Sequence, residues 1–222
     1  MNTIRTYYEN TKLSELSAQV IDCGEDENGS YVVCDKTIFH PQGGGQPDDQ
    51  GIIECAASLY KVQKLSIPKE GPDVIKHYIE GRIDVGSAVT MKIDLEARWL
   101  FARLHSAGHL LSNAAGLISE NLDGCQGNHF PNQSFVRFQG VLPSDLQSFK
   151  KELEEKVNEL VKKDIPVSNR FDSNPRKIQF GDLREYPCGG THVSSSSEIG
   201  DITIRRIKKE KDLLKVSYDV KL

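Results

Sequence analysis

The first part of the chain, from about residue 16 to residue 94, consists of short apolar runs separated by turn-forming residues. The runs are rich in β-branched residues, as in residues 30–34, SYVVC, and residues 88–93, AVTMKI. Clusters of glycine, proline and aspartate bound them, a pattern that is typical of β-strands. We therefore predict a β-rich domain, a small barrel or sandwich, over residues 1–94.

The period of the pattern changes at Asp94. This residue can cap a helix through ARWLFARLHSAGHLLSNAAGLISEN, which contains few helix breakers before Asp123 and Gly124. A second helix is predicted from Ser144, with Gln147 completing a capping box. Strand-like segments lie at residues 134–138, 165–168, 202–204 and 214–218. Residues 95–222 are therefore predicted to form an α+β domain with an antiparallel sheet.

Two separate pairs of metal-ligating residues stand in this second part. His105 and His109 lie one helical turn apart in HSAGH, so both imidazoles project from one face of the predicted helix. Cys188 and His192 lie four residues apart in CGGTH, where the glycines at 189 and 190 would allow a tight turn. Three nitrogens and one sulfur suit tetrahedral zinc. We therefore predict a zinc site formed by these four side chains.

Sequence motifs at the predicted zinc site and in the glycine loop exclude several common kinds of site. Zinc proteases with two helical histidines place a glutamate after the first one, and this chain has Ser106 there. Residues 37–51, TIFHPQGGGQPDDQG, lack the spacing of a dinucleotide fingerprint and the Lys-Ser/Thr pair of a phosphate loop. Two interpretations of this glycine loop stay open, a flexible turn and a backbone that approaches a ligand closely.

The overall composition is that of an ordinary soluble protein, with a formal net charge of -4 and 27% charged residues. Any binding of nucleic acid would therefore need a local basic patch. The chain has five scattered cysteines and no apolar run that approaches the roughly 18 residues of a membrane span. We expect a cytoplasmic protein that does not enter a membrane.

Several stretches together resemble one family. HSAGHLL, CGGTHV followed by EIGDITI, and TIFHPQGGGQPDDQG are similar to the editing domain of alanyl-tRNA synthetase and its freestanding AlaX relatives, which hydrolyse mischarged alanine-specific tRNA. The likeness extends from Tyr7 to Tyr218. The glycine-rich N-terminal domain is present and nothing resembles an aminoacylation domain, so the chain looks like the medium-length AlaX form.

The resemblance implies a zinc-dependent aminoacyl-tRNA deacylase that hydrolyses Ser-tRNA(Ala) in trans, and it leaves Gly-tRNA(Ala) open as a second substrate. The family's zinc ligands fall on His105, His109, Cys188 and His192. An alanine pocket cannot strongly reject serine, so a second site must recognise the serine hydroxyl. Our candidates for this contact in the catalytic site are Thr37 and Gln46. The sequence does not decide whether zinc polarises water or only anchors the substrate.

A local basic patch near the C-terminus is the candidate contact for tRNA. Residues 202–222 contain seven basic and three acidic side chains, which is seven minus three, or +4. Its centre is Arg205, Arg206, Lys208 and Lys209, which could neutralise phosphates or could be ordinary surface charges. The oligomeric state stays open.

Two alternative functions share part of this pattern. The editing domain of threonyl-tRNA synthetase, which would act on Ser-tRNA(Thr), shares the two ligand pairs but lacks the GGGQ stretch. A binding module, in which zinc is structural and the protein carries tRNA without chemistry, would not need a polar glycine loop beside its metal.

Overall fold

The computed structural model describes residues 2–172 and 176–221. The chain folds into two compact units, which we call the barrel unit and the α+β unit. The barrel unit comprises Met1–Gly43 and Pro47–Trp99, and the α+β unit comprises Gly44–Gln46 and Leu100–Leu222. The tip of the glycine loop thus belongs to the second unit. The predicted boundary stands at residue 94, at the start of a helix, whereas the two units divide after Trp99, within that helix.

The barrel unit is built from short strands, as the sequence pattern predicts. They are β1 (Ile4–Arg5), β2 (Glu15–Asp26), β3 (Gly29–Cys34), β4 (Lys36–Thr37), β5 (Gly51–Cys55), β6 (Ser58–Ser66), β7 (Lys76–Ile79) and β8 (Ala88–Ile93). Six strands close a barrel in the order β2-β3-β7-β6-β5-β8, and each neighbouring pair in it is antiparallel. The prediction of a small β-barrel is confirmed.

Alternation along the strands places apolar side chains inside the barrel. In β8 the residues Val89, Met91 and Ile93 are buried, while the residues between them are more exposed. Val32 of β3 and Ile53 of β5 join the same buried cluster. Because successive side chains of a strand point to opposite faces, this two-residue period produces one apolar interior.

The α+β unit contains most of α1 (Leu95–Ile118), the helix α2 (Leu146–Lys162), and two sheets. Its strands are β9 (Leu122–Asn128), β10 (Phe135–Gly140), β11 (Val167–Arg170), β12 (Lys177–Phe180), β13 (Tyr186–Pro187), β14 (Ile202–Glu210) and β15 (Leu213–Val220). One sheet has the order β14-β15-β10-β9 and the other has the order β11-β12-β13. All pairs in both are antiparallel, which confirms the predicted α+β class with its antiparallel sheet.

Both helices differ from the prediction at one end. Helix α1 stops at Ile118, whereas the predicted segment runs to Asn121, because the chain turns there and β9 begins at Leu122. Helix α2 is capped by Asp145 and not by Ser144. The carboxylate of Asp145 accepts hydrogen bonds from the amides of Gln147 and Ser148, at 2.9 and 3.0 Å, so the capping group stands one residue later than predicted.

Helix α1 is buried over most of its circumference between residues 102 and 115. Its small residues, such as Ala102, Ala107 and Ala114, are fully buried and allow close approach of neighbouring chain segments. The same stretch buries His105, whose ring therefore needs partners. In the described ranges, no helix combines the length and apolar character that crossing a membrane requires.

Candidate metal centre

The four predicted metal ligands form one cluster in the α+β unit. Helix α1 presents His105 and His109 one turn apart, with ring centroids 5.1 Å apart and planes inclined by only 9°. The loop after β13 carries Cys188 and His192 to the same place. The Sγ atom of Cys188 lies 3.3 Å from Nε2 of His105 and 3.2 Å from Nε2 of His192.

The spacing of these atoms fits a single metal ion. One ligand atom from each of the four residues can be chosen so that all lie within 4.8 Å of one another. Zinc bonds of about 2.0–2.3 Å in a tetrahedron separate the ligand atoms by roughly 3.3–3.8 Å. A small contraction would bring the whole set to that geometry.

His109 carries a further sign of a missing partner. Its Nε2 atom is buried and has no hydrogen-bond partner among the described residues. Burial, assisted by the nearby charge of Arg176, lowers the pKa of His109 to about 4, so the ring is neutral at pH 7. A neutral imidazole with a buried, unpartnered nitrogen is the state that a metal ligand requires, because leaving a buried polar atom unsatisfied costs stability.

The thiol of Cys188 is held as a protonated group until a cation replaces its proton. Burial raises the pKa of Cys188, and this effect exceeds the opposing contributions of the Gly190 amide and the Arg176 charge. The Gly190 amide donates to the sulfur at 3.3 Å. Metal binding here must therefore release a proton, which makes the affinity depend on pH.

Gln46 orients one of the histidines. Its Oε1 atom lies 2.9 Å from Nδ1 of His105 and accepts a hydrogen bond from the amide of Thr191, also at 2.9 Å. Its Nε2 atom donates to the hydroxyl of Thr191 at 2.9 Å. Because an amide oxygen only accepts, Nδ1 of His105 carries the proton and Nε2 is left with a lone pair for a metal. The sequence indicated Gln46 as a substrate contact, and the structure places it beside the ligands with both ends of its amide engaged.

Ser106 contacts the ring of His192. Its hydroxyl oxygen accepts a hydrogen bond from the amide of Val193 at 3.2 Å and lies 3.2 Å from Nδ1 of His192. Sequence reasoning used Ser106 only to argue against a protease. The residue in the position of the protease glutamate instead fixes the orientation of a candidate ligand.

Gly190 is required for space. A Cβ atom at this position would lie 2.2 Å from both Cε1 and Nδ1 of His105, and 2.9 Å from Oε1 of Gln46. Its φ angle is outside the left-handed region. The sequence predicted that this glycine permits a tight turn, and the structure gives another reason, the close approach of the His105 ring.

The tip of the glycine loop is an ordered part of the centre. Gly44 and Gly45 both have left-handed backbones, with φ of 57° and 78°. A Cβ atom on Gly45 would lie 2.4 Å from the carbonyl oxygen of Gly127 in β9, and the Gly45 carbonyl accepts from the amide of His129 at 2.7 Å. Close packing against β9 thus places Gln46 beside His105.

His129 follows β9 in a polar stretch of the sequence and lies in the centre. It is only 5% exposed, and its ring stacks on that of His105 with centroids 4.3 Å apart. Both rings line a pocket of about 260 Å³, together with His109, Cys188 and Gly127 among others. The pattern around His129 is polar, so only the tertiary structure reveals this burial.

Thr37 belongs to the barrel unit, where its hydroxyl has two partners. It lies 2.8 Å from Nε2 of His77 and accepts from the amide of Phe39 at 3.0 Å. Nδ1 of His77 lies 3.3 Å from the carbonyl oxygen of Val32, which can only accept, so Nε2 of His77 is the acceptor and Thr37 the donor. The single proton of Thr37 is therefore committed, and a further partner could only donate to it.

The four residues of the predicted basic patch lie on β14, and one of them, Arg205, has a structural role. Arg205 pairs with Asp219 at 2.8 Å and donates to the carbonyl oxygens of Ser134 and Tyr218. Lys208 pairs with Glu210 at 2.5 Å, and Arg206 and Lys209 are exposed.

The sheet register extends this patch across neighbouring strands. Lys208 stands opposite Lys215 of β15, and Lys215 stands opposite Arg137 of β10, so the three cations share one face of the sheet. Phe135 lies on the same face, with Nζ of Lys215 at 3.9 Å and Cζ of Arg137 at 4.8 Å from its ring centre. Sequence reasoning missed Arg137 and Phe135, because only the strand pairing brings them to the patch.

Two family models match the chain. Residues 5–97 match the model described as tRNA synthetases class II (A). Residues 176–214 match the threonyl and alanyl tRNA synthetase second additional domain, a segment that contains Cys188 and His192.

Individual relatives match over most of the chain. The alanyl-tRNA editing protein AlaX-L of Pyrococcus horikoshii is 31% identical over 235 residues, which cover 96% of this chain and 57% of that protein. AlaX-M of the same organism is 29% identical over 203 residues, which cover 90% of this chain and 89% of that protein. The alanine–tRNA ligase of Acidothermus cellulolyticus is 32% identical over 202 residues, which cover 78% of this chain and 22% of the ligase.

The chain thus spans little more than half the length of AlaX-L and most of the length of AlaX-M. The matched regions include the barrel unit and the loop that carries two of the four clustered ligands. Over most of its length the chain is therefore similar to alanyl-tRNA editing proteins of the AlaX type and to the corresponding region of alanine–tRNA ligases.

Proposed function

We propose that this protein removes serine from mischarged alanine-specific tRNA by hydrolysing the aminoacyl ester, with zinc as its cofactor. The observation that carries the proposal is the cluster of His105, His109, Cys188 and His192 beside a pocket, in a chain that is similar to AlaX-type alanyl-tRNA editing proteins. The relatives AlaX-L and AlaX-M are named as alanyl-tRNA editing proteins, which supports the same reaction class.

The donor set suits zinc. Three imidazole nitrogens and one thiolate favour zinc over the harder cations magnesium and calcium, which prefer oxygen. Zinc held there would supply Lewis-acid polarisation to a reacting group in the pocket. Gln46 holds the proton of His105 on Nδ1, and the Ser106 hydroxyl contacts Nδ1 of His192, so that both rings direct Nε2 toward the cluster.

Selection of serine needs a polar contact in the amino-acid site. A site that hydrogen-bonds the serine hydroxyl penalises alanine, because alanine leaves the buried partner unsatisfied. We propose Thr37 for this contact, acting as the acceptor, since its own proton is donated to His77. For Gln46 the hydrogen bonds to His105 and Thr191 favour a positioning role in place of direct serine recognition.

The sheet face that carries Arg206, Lys208, Lys215, Arg137 and Phe135 is the proposed contact for tRNA. Cations on neighbouring strands can neutralise successive phosphates, and a partly exposed aromatic ring among them can stack on a base. Arg205 and Arg137 have structural roles in this arrangement, because Asp219 and two carbonyl groups occupy the guanidinium of Arg205, and Glu210 and Gln126 occupy that of Arg137.

The decisive experiment measures hydrolysis of Ser-tRNA(Ala), Ala-tRNA(Ala), Gly-tRNA(Ala) and Ser-tRNA(Thr) by the full chain, loaded with zinc and after chelation. We expect rapid hydrolysis of Ser-tRNA(Ala), little of Ala-tRNA(Ala), and loss of activity on chelation that returns with zinc. Preference for Ser-tRNA(Thr) would favour a threonyl-type editing domain, which one matched family model also covers. If the folded, zinc-loaded protein hydrolyses none of these substrates, the deacylase is refuted and the binding module becomes the favoured function.

A matched variant tests the ligand assignment. Cys188→Ala should lower the zinc content and the hydrolysis rate together, whereas Cys125→Ala should leave the zinc content unchanged. Cys125 also lines the pocket, but its thiol donates to the carbonyl of Arg137 and it is not one of the clustered ligands. Full zinc stoichiometry in Cys188→Ala would show that the assignment is wrong.

A further inference from the structure

Two glycines make room for the ring of His129. A Cβ atom on Gly108, in α1, would lie 2.4 Å from Cε1 of His129 and 2.9 Å from the hydroxyl of Tyr218. A Cβ atom on Gly127, in β9, would lie 2.5 Å from Nε2 of His129. Glycine in the middle of a helix is normally unfavourable relative to alanine, so its presence in α1 is explained by this ring. The fold therefore accommodates His129 from two sides.

Tyr218 determines which nitrogen of His129 carries the proton. The Tyr218 hydroxyl donates to the carbonyl oxygen of Leu104 at 2.8 Å, so its only proton is used there. The same hydroxyl lies 2.7 Å from Nδ1 of His129 and must therefore accept from it. The neutral ring thus has its proton on Nδ1 and a lone pair on Nε2.

The Nε2 atom has no hydrogen-bond partner among the residues that the structure describes. The ring lines the pocket beside His105, His109 and Cys188. A buried ring with one nitrogen fixed by Tyr218 and the other presented without a protein partner is prepared to accept a hydrogen bond from a ligand.

We propose that His129 is a substrate-binding residue whose Nε2 atom accepts a hydrogen bond from the aminoacyl-ribose end of the substrate. This inference rests on the proposed function and adds a residue to its site. Two groups next to the ester can donate this hydrogen bond. They are the α-ammonium group and the ribose hydroxyl vicinal to the ester. Tyr218 acts through His129 as a positioning residue.

The test uses a non-hydrolysable analogue, adenosine with serine joined to its 3′ position by an amide, and measures its dissociation constant with zinc-loaded protein. His129→Phe keeps a ring in the same space and removes the acceptor. We expect about tenfold weaker binding in this variant, the order expected for one lost hydrogen bond. His129→Gln, which places an amide oxygen near the Nε2 position, should recover part of the affinity.

Two further analogues identify the donor. One lacks the vicinal hydroxyl and the other replaces the α-ammonium by a hydrogen atom. The analogue that lacks the contacted donor should bind wild-type and His129→Phe protein equally, while the other should still distinguish them. Equal loss of affinity for all three analogues, or no loss for any, would overturn the proposal.

Variants that leave His129 in place guard against a folding artefact. Gly108→Ala should displace the ring and weaken analogue binding, whereas Gly116→Ala, in the same helix with nothing within 4 Å of the added Cβ, should not. Tyr218→Phe should weaken binding less than His129→Phe, since Nε2 remains. Unchanged binding in Gly108→Ala would contradict the proposal even if His129→Phe fails to fold.

The two proposals fail separately. Analogue binding that depends on His129, without hydrolysis of any aminoacyl-tRNA, would refute only the deacylase. Hydrolysis of Ser-tRNA(Ala) with analogue binding that ignores His129 would refute only the present inference.

Discussion

A single added methyl group at position 190 should disrupt the metal centre without removing a ligand. The Cβ atom of Gly190→Ala would lie 2.2 Å from Cε1 and Nδ1 of His105, far inside normal contact distance. The His105 ring must then move away from the cluster or the loop that carries Cys188 must shift. Overpacking of this kind costs about 1–3 kcal/mol, which corresponds to roughly 5- to 150-fold in the zinc dissociation constant if it opposes the bound state.

Competition with a chromophoric chelator gives the zinc dissociation constant directly. Thermal unfolding with zinc and after chelation gives a second measure. We expect the difference in melting temperature between wild type and Gly190→Ala to be larger with zinc, because a bound metal would hold the His105 ring against the added methyl group. Gly116→Ala is the matched control, with unchanged zinc affinity and a gain in stability of up to about 1 kcal/mol from helix propensity.

Wild-type zinc affinity in Gly190→Ala would refute the reasoning. It would mean that the contact between the loop and His105 is not part of the metal-bound state, and the packing argument for the four-ligand cluster would fail with it.

Three more predictions follow from the barrel unit and the basic sheet face. Thr37→Val should lower the ratio of seryl to alanyl ester hydrolysis about tenfold, and an unchanged ratio would exclude Thr37 from serine recognition. Burial lowers the pKa of His77 from 6.5 to about 4, so its contribution to stability is present above pH 6.5 and is lost as pH falls toward 4. His77→Gln should flatten urea-unfolding stability over that range, a difference of at most about 3 kcal/mol, and an equally steep profile would contradict this sign. The double change Arg206→Ala with Lys208→Ala should reduce the slope of log affinity for tRNA against log salt by about 2, whereas Lys61→Ala should leave it unchanged, and equal slopes in all three proteins would exclude the sheet face.

Local patterns along the sequence were sufficient for most of the elements and for the choice of candidate metal ligands. The two-residue alternation of β8 predicts its buried face, because side chains of a strand alternate whatever the neighbouring strand is. His105 and His109 are four residues apart, and both rings lie on one side of α1 because four residues are close to one helical turn. The choice of three imidazoles and one thiol follows from ligand chemistry and needs no coordinates.

Local patterns were insufficient where the outcome depends on contacts with other parts of the chain. Ser144 and Asp145 can both cap a helix, and the choice depends on which side chain reaches the free amides. His129 stands in a polar stretch that resembles an exposed loop, and its burial depends on space left by Gly108 and Gly127. A glycine within a predicted helix is the only signal in the sequence that could have indicated that space.

The sequence alone thus determined the β-rich first domain, the α+β class of the second and the residues that can bind a metal, because each depends on residue type and on spacing within one element. The tertiary structure alone decided which residues hold those ligands in place. Gln46 meets His105 across 59 positions, Cys188 meets His105 across 83, and His129 meets Tyr218 across 89. Contacts over such separations depend on the packing of whole elements, and no periodic pattern along the chain records them.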